Sequence, residues 1–152
     1  MMGKSIDRNG FIQICIVVGD IELAAEKWAQ ALGVEKPEIS TMKFEGGENY
    51  TYRGKPIDGE ALFAVIPMNG FVLELQQPVS EDTTFQEFWK KHGNGVHHIG
   101  FEVGKDREAV LEHLADMGFD TNRTLGIYPG SSWTIVDTED TLGVNLNIKP
   151  VR

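Results

Sequence analysis

Residues 11–20 read FIQICIVVGD, and residues 96–106 read VHHIGFEVGKD. Each stretch is an apolar run rich in β-branched residues and ends on glycine and aspartate, a pattern typical of a strand followed by a turn and a helix cap. A repeat of this kind within one chain indicates two copies of a single supersecondary unit. The sequence therefore predicts a protein built twice on the same plan.

A helix is predicted after each of these strands. Residues 21–33 read IELAAEKWAQALG and residues 107–118 read REAVLEHLADMG, both with apolar side chains at helical spacing and a final glycine. The halves also end alike, because GFVLELQQP (70–78) matches GVNLNIKP (143–150). Two more strands fit between each helix and its last strand, and we predict them near residues 43–52, 60–66, 121–127 and 132–137.

These elements predict an α+β fold of two βαβββ modules that pair into one curved mixed sheet around a central cavity. The first module covers residues 1–79 and the second covers residues 96–152, with a connecting helix and turn over residues 80–95. In the connecting segment, Thr84 is the predicted helix cap, with Glu87 three residues later, as in a capping box.

Composition limits the classes of function. The chain has 152 residues, of which 41% are hydrophobic and 24% charged, which suits one domain or two small packed ones. The net charge of −9 and the lack of a basic stripe argue against nucleic acid as a partner. A single cysteine, Cys15, excludes a disulfide within the chain, and no stretch resembles a signal peptide or a membrane span. We therefore expect a cytoplasmic protein.

Strand alternation predicts which side chains face the cavity. One face of the two repeated strands and of the two last strands carries a largely polar series, namely Gln13, Cys15, His98, Gly100, Glu102, Glu74, Gln76, Asn145, Asn147 and Lys149. A solvated sheet face would show the same alternation. The small residues Cys15 and Gly100 leave space over this face, which favours a ligand cavity. His97 falls on the opposite, packed face, where we expect a hydrogen-bonded core histidine.

Several motifs resemble the vicinal oxygen chelate superfamily. They are the paired modules, the HHIGFEV strand (97–103), the E-L-x-x-P ending (74–78) and the G-V-x-L-x-I ending (143–148). That superfamily contains glyoxalase I, bleomycin-resistance proteins, extradiol dioxygenases and methylmalonyl-CoA epimerases. The segment TTFQEFWKKHGNGVHHIGFEV (83–103) is most similar to the epimerase branch. The resemblance covers nearly the whole chain and implies a glyoxalase-like fold, which often forms homodimers.

The resemblance also implies a divalent metal held by one residue from each of four strands. By position these residues are Gln13, Glu74, His98 and Asn147. The family usually has histidine at the first position and glutamate at the last, so two neutral amides replace stronger ligands here. Such a set suits tight Zn²⁺ poorly and hard cations better. The candidates are Mg²⁺, Mn²⁺, Ca²⁺, Co²⁺, Ni²⁺ or Zn²⁺, with a metal-free site as the alternative.

Epimerisation beside a thioester needs a base on each face of the carbon. The epimerase branch uses two glutamates, and the matching positions here hold Leu62 and Asn147, neither of which accepts a proton. Glu60 and Glu102 are therefore the candidate catalytic bases. The predicted substrate-binding residues are Cys15, Gly100, Tyr128, Trp133 and Lys149.

The resemblance implies two alternative functions. The first is an isomerase or lyase, similar to methylmalonyl-CoA epimerase or glyoxalase I, that acts on a small carbonyl or thioester substrate through a metal-stabilised enolate. The second is a protein of the same fold that has lost catalysis and binds or sequesters a small molecule. An extradiol dioxygenase is disfavoured, because its iron needs two histidines and only His98 is predicted to face the cavity.

Overall fold

One curved sheet of ten strands runs through both halves of the chain. The computed structural model describes residues 3–152, so the first two positions of the predicted module 1–79 lie outside it. The strands are β1 (Phe11–Val17), β2 (Ser40–Phe44), β3 (Tyr50–Tyr52), β4 (Lys55–Pro56), β5 (Gly59–Pro67), β6 (Val72–Pro78), β7 (Gly95–Glu102), β8 (Asp120–Tyr128), β9 (Ser131–Asp137) and β10 (Asn145–Lys149). The helices are α1 (Ile21–Leu32), α2 (Thr84–His92), α3 (Arg107–Asp116) and α4 (Glu139–Leu142). No helix within the described range is long and apolar enough to cross a membrane.

The strand order reveals the internal repeat. The sheet runs β2-β5-β6-β1-β7-β10-β9-β8-β3-β4. The order β2-β5-β6-β1 in the first half therefore recurs, reversed, as β7-β10-β9-β8 in the second. Strands β1 and β7 lie antiparallel at the junction, and each pairs in parallel with the last strand of its own half. The predicted α+β fold with one curved mixed sheet is confirmed.

Helices α1 and α3 pack on the convex side of the sheet. The Asp20 carboxylate accepts a hydrogen bond from the Leu23 amide at 3.0 Å and caps α1, which ends at Gly33 in the left-handed conformation (φ 68°). Apolar side chains of α1 then pack against β1, β5 and β6, in a buried cluster of Val18, Ile21, Ala25, Ala64 and Leu75. The equivalent cluster under α3 contains Val110, Leu114, Val136, Leu146 and Ile148.

The strand predicted over residues 43–52 is divided in the structure. Strand β2 ends at Phe44, and two glycines with positive φ, Gly46 (109°) and Gly47 (65°), turn the chain away from the sheet. Residues 45–58, here called the strap, then cross the concave side and place β3 beside β8 of the other half, with Tyr50 opposite Gly126. The strap therefore covers the concave face from one half to the other.

The cap of α2 also differs from the prediction by one residue. Thr83, not Thr84, accepts the hydrogen bond from the Gln86 amide, at 3.1 Å. Two adjacent threonines offer the same capping hydroxyl, so the sequence does not separate them. Because Thr84 is the first residue inside the helix, its buried hydroxyl is free to contact other side chains.

A β-bulge in β7 changes the direction of His97. Cys15 of β1 lies opposite His98, whereas the next residue, Ile16, lies opposite Val96, so His97 is the extra residue. His97 is buried and hydrogen-bonded, as predicted, but it packs against Phe85 and Phe88 of α2 and not against α3. The prediction of its face is therefore wrong, because strict alternation fails at a bulge.

Arg53 fastens the strap to the second half. Its guanidinium contacts Asp137 at 2.6 Å and Glu87 at 2.9 Å, and its backbone has a left-handed φ of 53°. Arg53→Asn keeps a residue that tolerates this conformation but removes both ion pairs. We expect the Ile57 amide, which donates to the Tyr50 carbonyl, to exchange about fivefold faster, since partly exposed pairs contribute roughly 1 kcal/mol.

Hydrogen-exchange mass spectrometry measures this change. Lys55→Asn, at an exposed lysine of the same strap, is the matched control and should exchange as the wild type does. Equal exchange in both variants would show that Arg53 does not hold the strap.

Candidate ligand-binding cavity

A cavity of about 260 Å³ lies between the concave face of the sheet, the strap and α2. Its floor is polar and its walls are mainly aromatic. The lining residues are Gln13, Met42, Tyr50, Phe63, Glu74, Gln76, Phe85, His98, Tyr128, Trp133, Ile135, Asn147 and Lys149. A polar floor under apolar walls is the usual composition of a small-molecule site.

The four residues predicted to hold a metal meet on the floor of this cavity. Gln13 lies at their centre: its Oε1 atom is 3.1 Å from both Asn147 Nδ2 and His98 Nε2, and its Nε2 atom is 3.3 Å from Glu74 Oε2. The register of the sheet explains the meeting, because Cys15 lies between Glu74 on β6 and His98 on β7. The four side chains therefore lie together in the cavity. Whether they can bind a metal depends on the hydrogen bonds that each of them makes.

Gly100 and Cys15 lie beneath the floor and do not line the cavity. A Cβ atom at Gly100 would come within 2.8 Å of Gln13 Oε1 and 2.9 Å of Gln13 Cβ. The space that Gly100 leaves is thus filled by Gln13, and the expectation that it opens room for a ligand is corrected. Cys15 is completely buried below Glu74.

Lys149, Tyr128 and Trp133 line the cavity, where the sequence predicted substrate contacts. Lys149 makes no ion pair with any residue between 3 and 152, so its ammonium group is available to a ligand. Trp133 lies across Gly126, where a Cβ atom would be 2.2 Å from the indole ring.

Gln76 also lines the cavity, as its place in the polar series beside Glu74 predicts. Other lining residues were not predicted. Tyr50 reaches the cavity on the strap, and Phe85 reaches it on α2. Both positions depend on tertiary packing, for which the local sequence gives no signal.

Neither candidate base reaches the cavity. On β5, Phe63 lines the cavity and pairs with Gln76, whereas Leu62 packs on the convex side under α1. Glu60 shares the side of Leu62 and lies in a surface depression beside Lys43 and Ser80. The prediction that Glu60 lies near the substrate is therefore corrected, because side chains alternate along a strand and Glu60 lies on the face of β5 opposite to Phe63.

Glu102 lies at the end of β7, away from the floor. Its side chain is 39% exposed and its carboxylate is 3.4 Å from Arg152 Nε. It lines a separate surface depression with Lys4 and Asp106. The prediction that Glu102 faces the cavity is corrected, because Glu102 is not among the residues that line it. Among the lining residues, Glu74 is the only carboxylate.

Two amide oxygens on the floor have no hydrogen-bond partner among residues 3–152. Asn147 Oδ1 and Gln76 Oε1 are both buried and both unpaired, although their amide nitrogens donate to Gln13 Oε1 (3.1 Å) and Glu74 Oε1 (2.9 Å). Burying an acceptor without a partner costs about 1–3 kcal/mol. Such atoms are rare in folded proteins and require an explanation, and the capacity to bind a ligand is one.

Burial sets the charge state of the floor. It lowers the pKa of His98 to about 3, with added repulsion from Lys149 and Arg123, and it lowers the pKa of His97 well below the usual range. Burial also raises the pKa of Glu74, although hydrogen bonds from Gln76, Cys15 and Gln13 and the charge of Lys149 oppose this shift. Both imidazoles are therefore neutral at physiological pH.

The floor does not fit a divalent cation in this arrangement. Gln13 Nε2 faces the Glu74 carboxylate, which only accepts, so Gln13 must direct its carbonyl oxygen at His98 Nε2. That nitrogen then carries the hydrogen and has no lone pair for a metal. Cys15, Glu74 and His98 do bring ligand atoms within 4.8 Å of one another. However, burial raises the pKa of the Cys15 thiol well above its usual value, and a metal needs the thiolate.

The contact between Gly100 and Gln13 can be tested by substitution. Gly100→Ala should displace Gln13 and lower the free energy of unfolding by about 1–3 kcal/mol, as expected for overpacking. Gly95→Ala on the same strand is the control, since its Cβ atom would meet Phe88 at an ordinary 3.7 Å. Urea unfolding measures both variants, and an equal effect in the two would contradict the assigned contact.

The low pKa of His98 predicts a pH dependence of stability. Below about pH 6.5 the unfolded chain takes up a proton at this residue and the folded chain does not, so the contribution of His98 is lost as the pH falls towards its folded pKa of about 3. His98→Gln removes this contribution. Between pH 6 and pH 5 the wild type should lose about 1 kcal/mol more unfolding free energy than the variant. Parallel stability curves would contradict a neutral His98.

Comparison with solved structures supports the fold. Methylmalonyl-CoA epimerase from Mycobacterium tuberculosis has a TM-score of 0.59 and 18% identity, covering 100% of this chain and 93% of that chain. Methylmalonyl-CoA epimerase in complex with methylmalonyl-CoA and NH4⁺ has a TM-score of 0.57 and 22% identity, covering 91% and 92%. A Streptomyces coelicolor epimerase variant in complex with 2-nitronate-propionyl-CoA has a TM-score of 0.57 and 21% identity, covering 91% and 94%.

At these identities the similarity establishes the fold alone. No curated protein sequence matches the chain. The sequence profile described as Glyoxalase/Bleomycin resistance protein/Dioxygenase superfamily matches residues 12–135, which include most of both halves. The chain therefore belongs to the glyoxalase/bleomycin resistance protein/dioxygenase superfamily.

Proposed function

We propose that this protein binds a small oxygenated molecule in its central cavity and does so without a metal ion. The observation that carries the proposal is the pair of unpaired amide oxygens, Asn147 Oδ1 and Gln76 Oε1, on the floor of an otherwise aromatic cavity. Because both oxygens are buried, a small movement of the floor side chains would let a hydroxyl or amino group of a ligand donate a hydrogen bond to each. That bond would remove the free-energy cost of leaving the oxygen unpaired.

The remaining groups narrow the ligand class. Lys149 has no ion pair among the described residues and would meet a carboxylate or phosphate. The rings of Phe63, Phe85 and Trp133 would cover an apolar part. The volume of about 260 Å³ lies near the lower end for ligand pockets, so the occupied part of the ligand is small. A hydroxy acid, or the acyl end of a larger molecule, has this combination of groups.

Two-base epimerisation has little support in this cavity. The β5 position that faces Glu74 and Gln76 is held by Val65 and Phe63, and the β10 position is Asn147. None of these side chains takes a proton. The two proton-accepting side chains that two-base epimerisation needs are therefore missing from β5 and β10.

An isomerase with a single base is the second candidate. Glu74 is the one carboxylate that lines the cavity, and burial raises its pKa above the usual value for a glutamate, which makes it a stronger base. It would remove a proton from a carbon next to a carbonyl group and return it to a neighbouring atom. The Glu74 oxygens accept hydrogen bonds from Gln13 and Gln76, and those amides would orient the carboxylate.

Isothermal titration calorimetry in the presence of EDTA tests the binding proposal. The probes are 2-hydroxy acids, the matching 2-oxo acids and methylmalonyl-CoA. We expect binding of a hydroxy acid that Lys149→Met weakens about ten- to hundredfold, because the lost hydrogen bond is charge-assisted. Lys105→Met, in the turn before α3, is the control and should bind normally. Binding only after addition of a divalent metal, or to none of the probes, would contradict the proposal.

Proton NMR in D₂O separates the two candidates. A binding protein leaves the hydrogen at carbon 2 of methylmalonyl-CoA in place, whereas an isomerase exchanges it for deuterium. If exchange occurs, Glu74→Gln should abolish it while the fold is retained, because the amide is isosteric but accepts no proton. Exchange that survives this substitution would remove Glu74 as the base.

The predicted homodimer and cytoplasmic location stay predictions. Size-exclusion chromatography with light scattering tests the first of them.

A further inference from the structure

A chain of buried hydrogen bonds runs from Arg123 to Glu74 and links the two halves of the protein. Arg123 Nε lies 2.8 Å from Thr84 Oγ1, which is 3.0 Å from His97 Nε2. His97 Nδ1 lies 2.7 Å from His98 Nδ1. His98 and Gln13 then complete the connection to the Glu74 carboxylate. We call this chain the relay.

The hydrogen bond from Arg123 determines which atom donates and which accepts at each following link of the relay, here called its direction. Guanidinium nitrogen only donates, so Thr84 Oγ1 accepts from it. The Thr84 hydroxyl hydrogen has a single acceptor among the residues of the described chain, His97 Nε2. His97, which is neutral, then carries its hydrogen on Nδ1 and donates it to His98 Nδ1. His98 in turn carries its hydrogen on Nε2, the nitrogen that faces Gln13.

The Glu74 end gives the same direction independently. The carboxylate accepts from Gln13 Nε2 and Gln76 Nε2, one at each oxygen. Gln13 must therefore present Oε1 to His98 Nε2 and to Asn147 Nδ2. Reversal at any link would set two acceptors or two donors against each other in a buried site.

The direction of the relay also decides what the cavity offers to a ligand. Asn147 uses its amide nitrogen on Gln13, and Gln76 uses its amide nitrogen on Glu74. Their oxygens are therefore the atoms left unpaired. We propose that Thr84 and His97 are positioning residues, which hold His98 in the Nε2-protonated tautomer and so make the floor select hydrogen-bond donors on the ligand and reject divalent cations.

The fold supplies two features on which this proposal depends. The bulge in β7 brings adjacent imidazoles within 2.7 Å, whereas neighbours on a regular strand point to opposite faces. Arg123 is fixed by Glu139, by Glu87 at 2.8 Å and by Asn145 at 2.9 Å, so it stays in place as the terminal donor. Neither His97 nor Thr84 lines the cavity, and each acts only through His98.

The tautomer can be measured in the ligand-free protein. Long-range ¹H–¹⁵N correlation spectra of ¹⁵N-histidine protein distinguish a protonated ring nitrogen from an unprotonated one. We expect His98 to show an unprotonated Nδ1 and a protonated Nε2, and His97 the reverse. A His98 protonated on Nδ1 would overturn the proposal directly, whether or not any variant folds.

A matched pair of variants tests the positioning role. Thr84→Val keeps the shape of the side chain and removes the hydroxyl, so the minor His98 tautomer should rise about fivefold, the factor that corresponds to one hydrogen bond. Thr84→Ser retains the hydroxyl and should restore the wild-type spectrum. An unchanged tautomer in Thr84→Val, or a change in Thr84→Ser equal to that in Thr84→Val, would remove Thr84 from the relay.

This proposal rests on the proposed function at one point only, the interpretation of the two unpaired oxygens as acceptors for a ligand. Because the spectra contain no ligand, failure to bind any hydroxy acid would contradict the proposed function and leave the tautomer result standing. A His98 protonated on Nδ1 would contradict the relay, whereas calorimetry in EDTA would still show whether a hydroxy acid binds.

Discussion

The structure depends on the opposite hydrogen-bonding characters of two buried residues. Arg123 can only donate hydrogen bonds, and the Glu74 carboxylate can only accept them. Thr84, His97, His98 and Gln13 lie between them and each could face either way in isolation. With both ends fixed, every intermediate group has a single orientation. The floor of the cavity is therefore defined by residues that lie mostly outside it.

The two halves of the chain are not equivalent in this arrangement. The repeated strands bring Gln13 and His98 side by side, and the last strands bring Glu74 and Asn147 to their flanks. The asymmetric additions complete the site: the strap provides Tyr50, and α2 provides Phe85 as well as Thr84. The duplicated modules form the sheet. The strap and α2, which are not duplicated, add the side chains that make the two sides of the cavity different.

Sequence periodicity was sufficient for the fold and for the convergence of Gln13, Glu74, His98 and Asn147, because alternation holds along regular strands. It failed where the backbone departs from regularity. The bulge redirects His97. Two further misses have other causes, because Glu60 lies on the face of β5 opposite to Phe63 and Glu102 lies at the end of β7, outside the cavity. The strap was also missed, since pairing between β3 and β8 is a long-range contact with no local signature.

Metal content measures the central claim most directly, because a site closed by Gln13 and an Nε2-protonated His98 has no ligand set for a cation. Protein purified without chelator would be dialysed separately against Mn²⁺, Ni²⁺ and Zn²⁺, then against buffer, and analysed by inductively coupled plasma mass spectrometry. We expect far less than one ion per chain with each metal. One ion per chain that is lost in His98→Ala would contradict the claim.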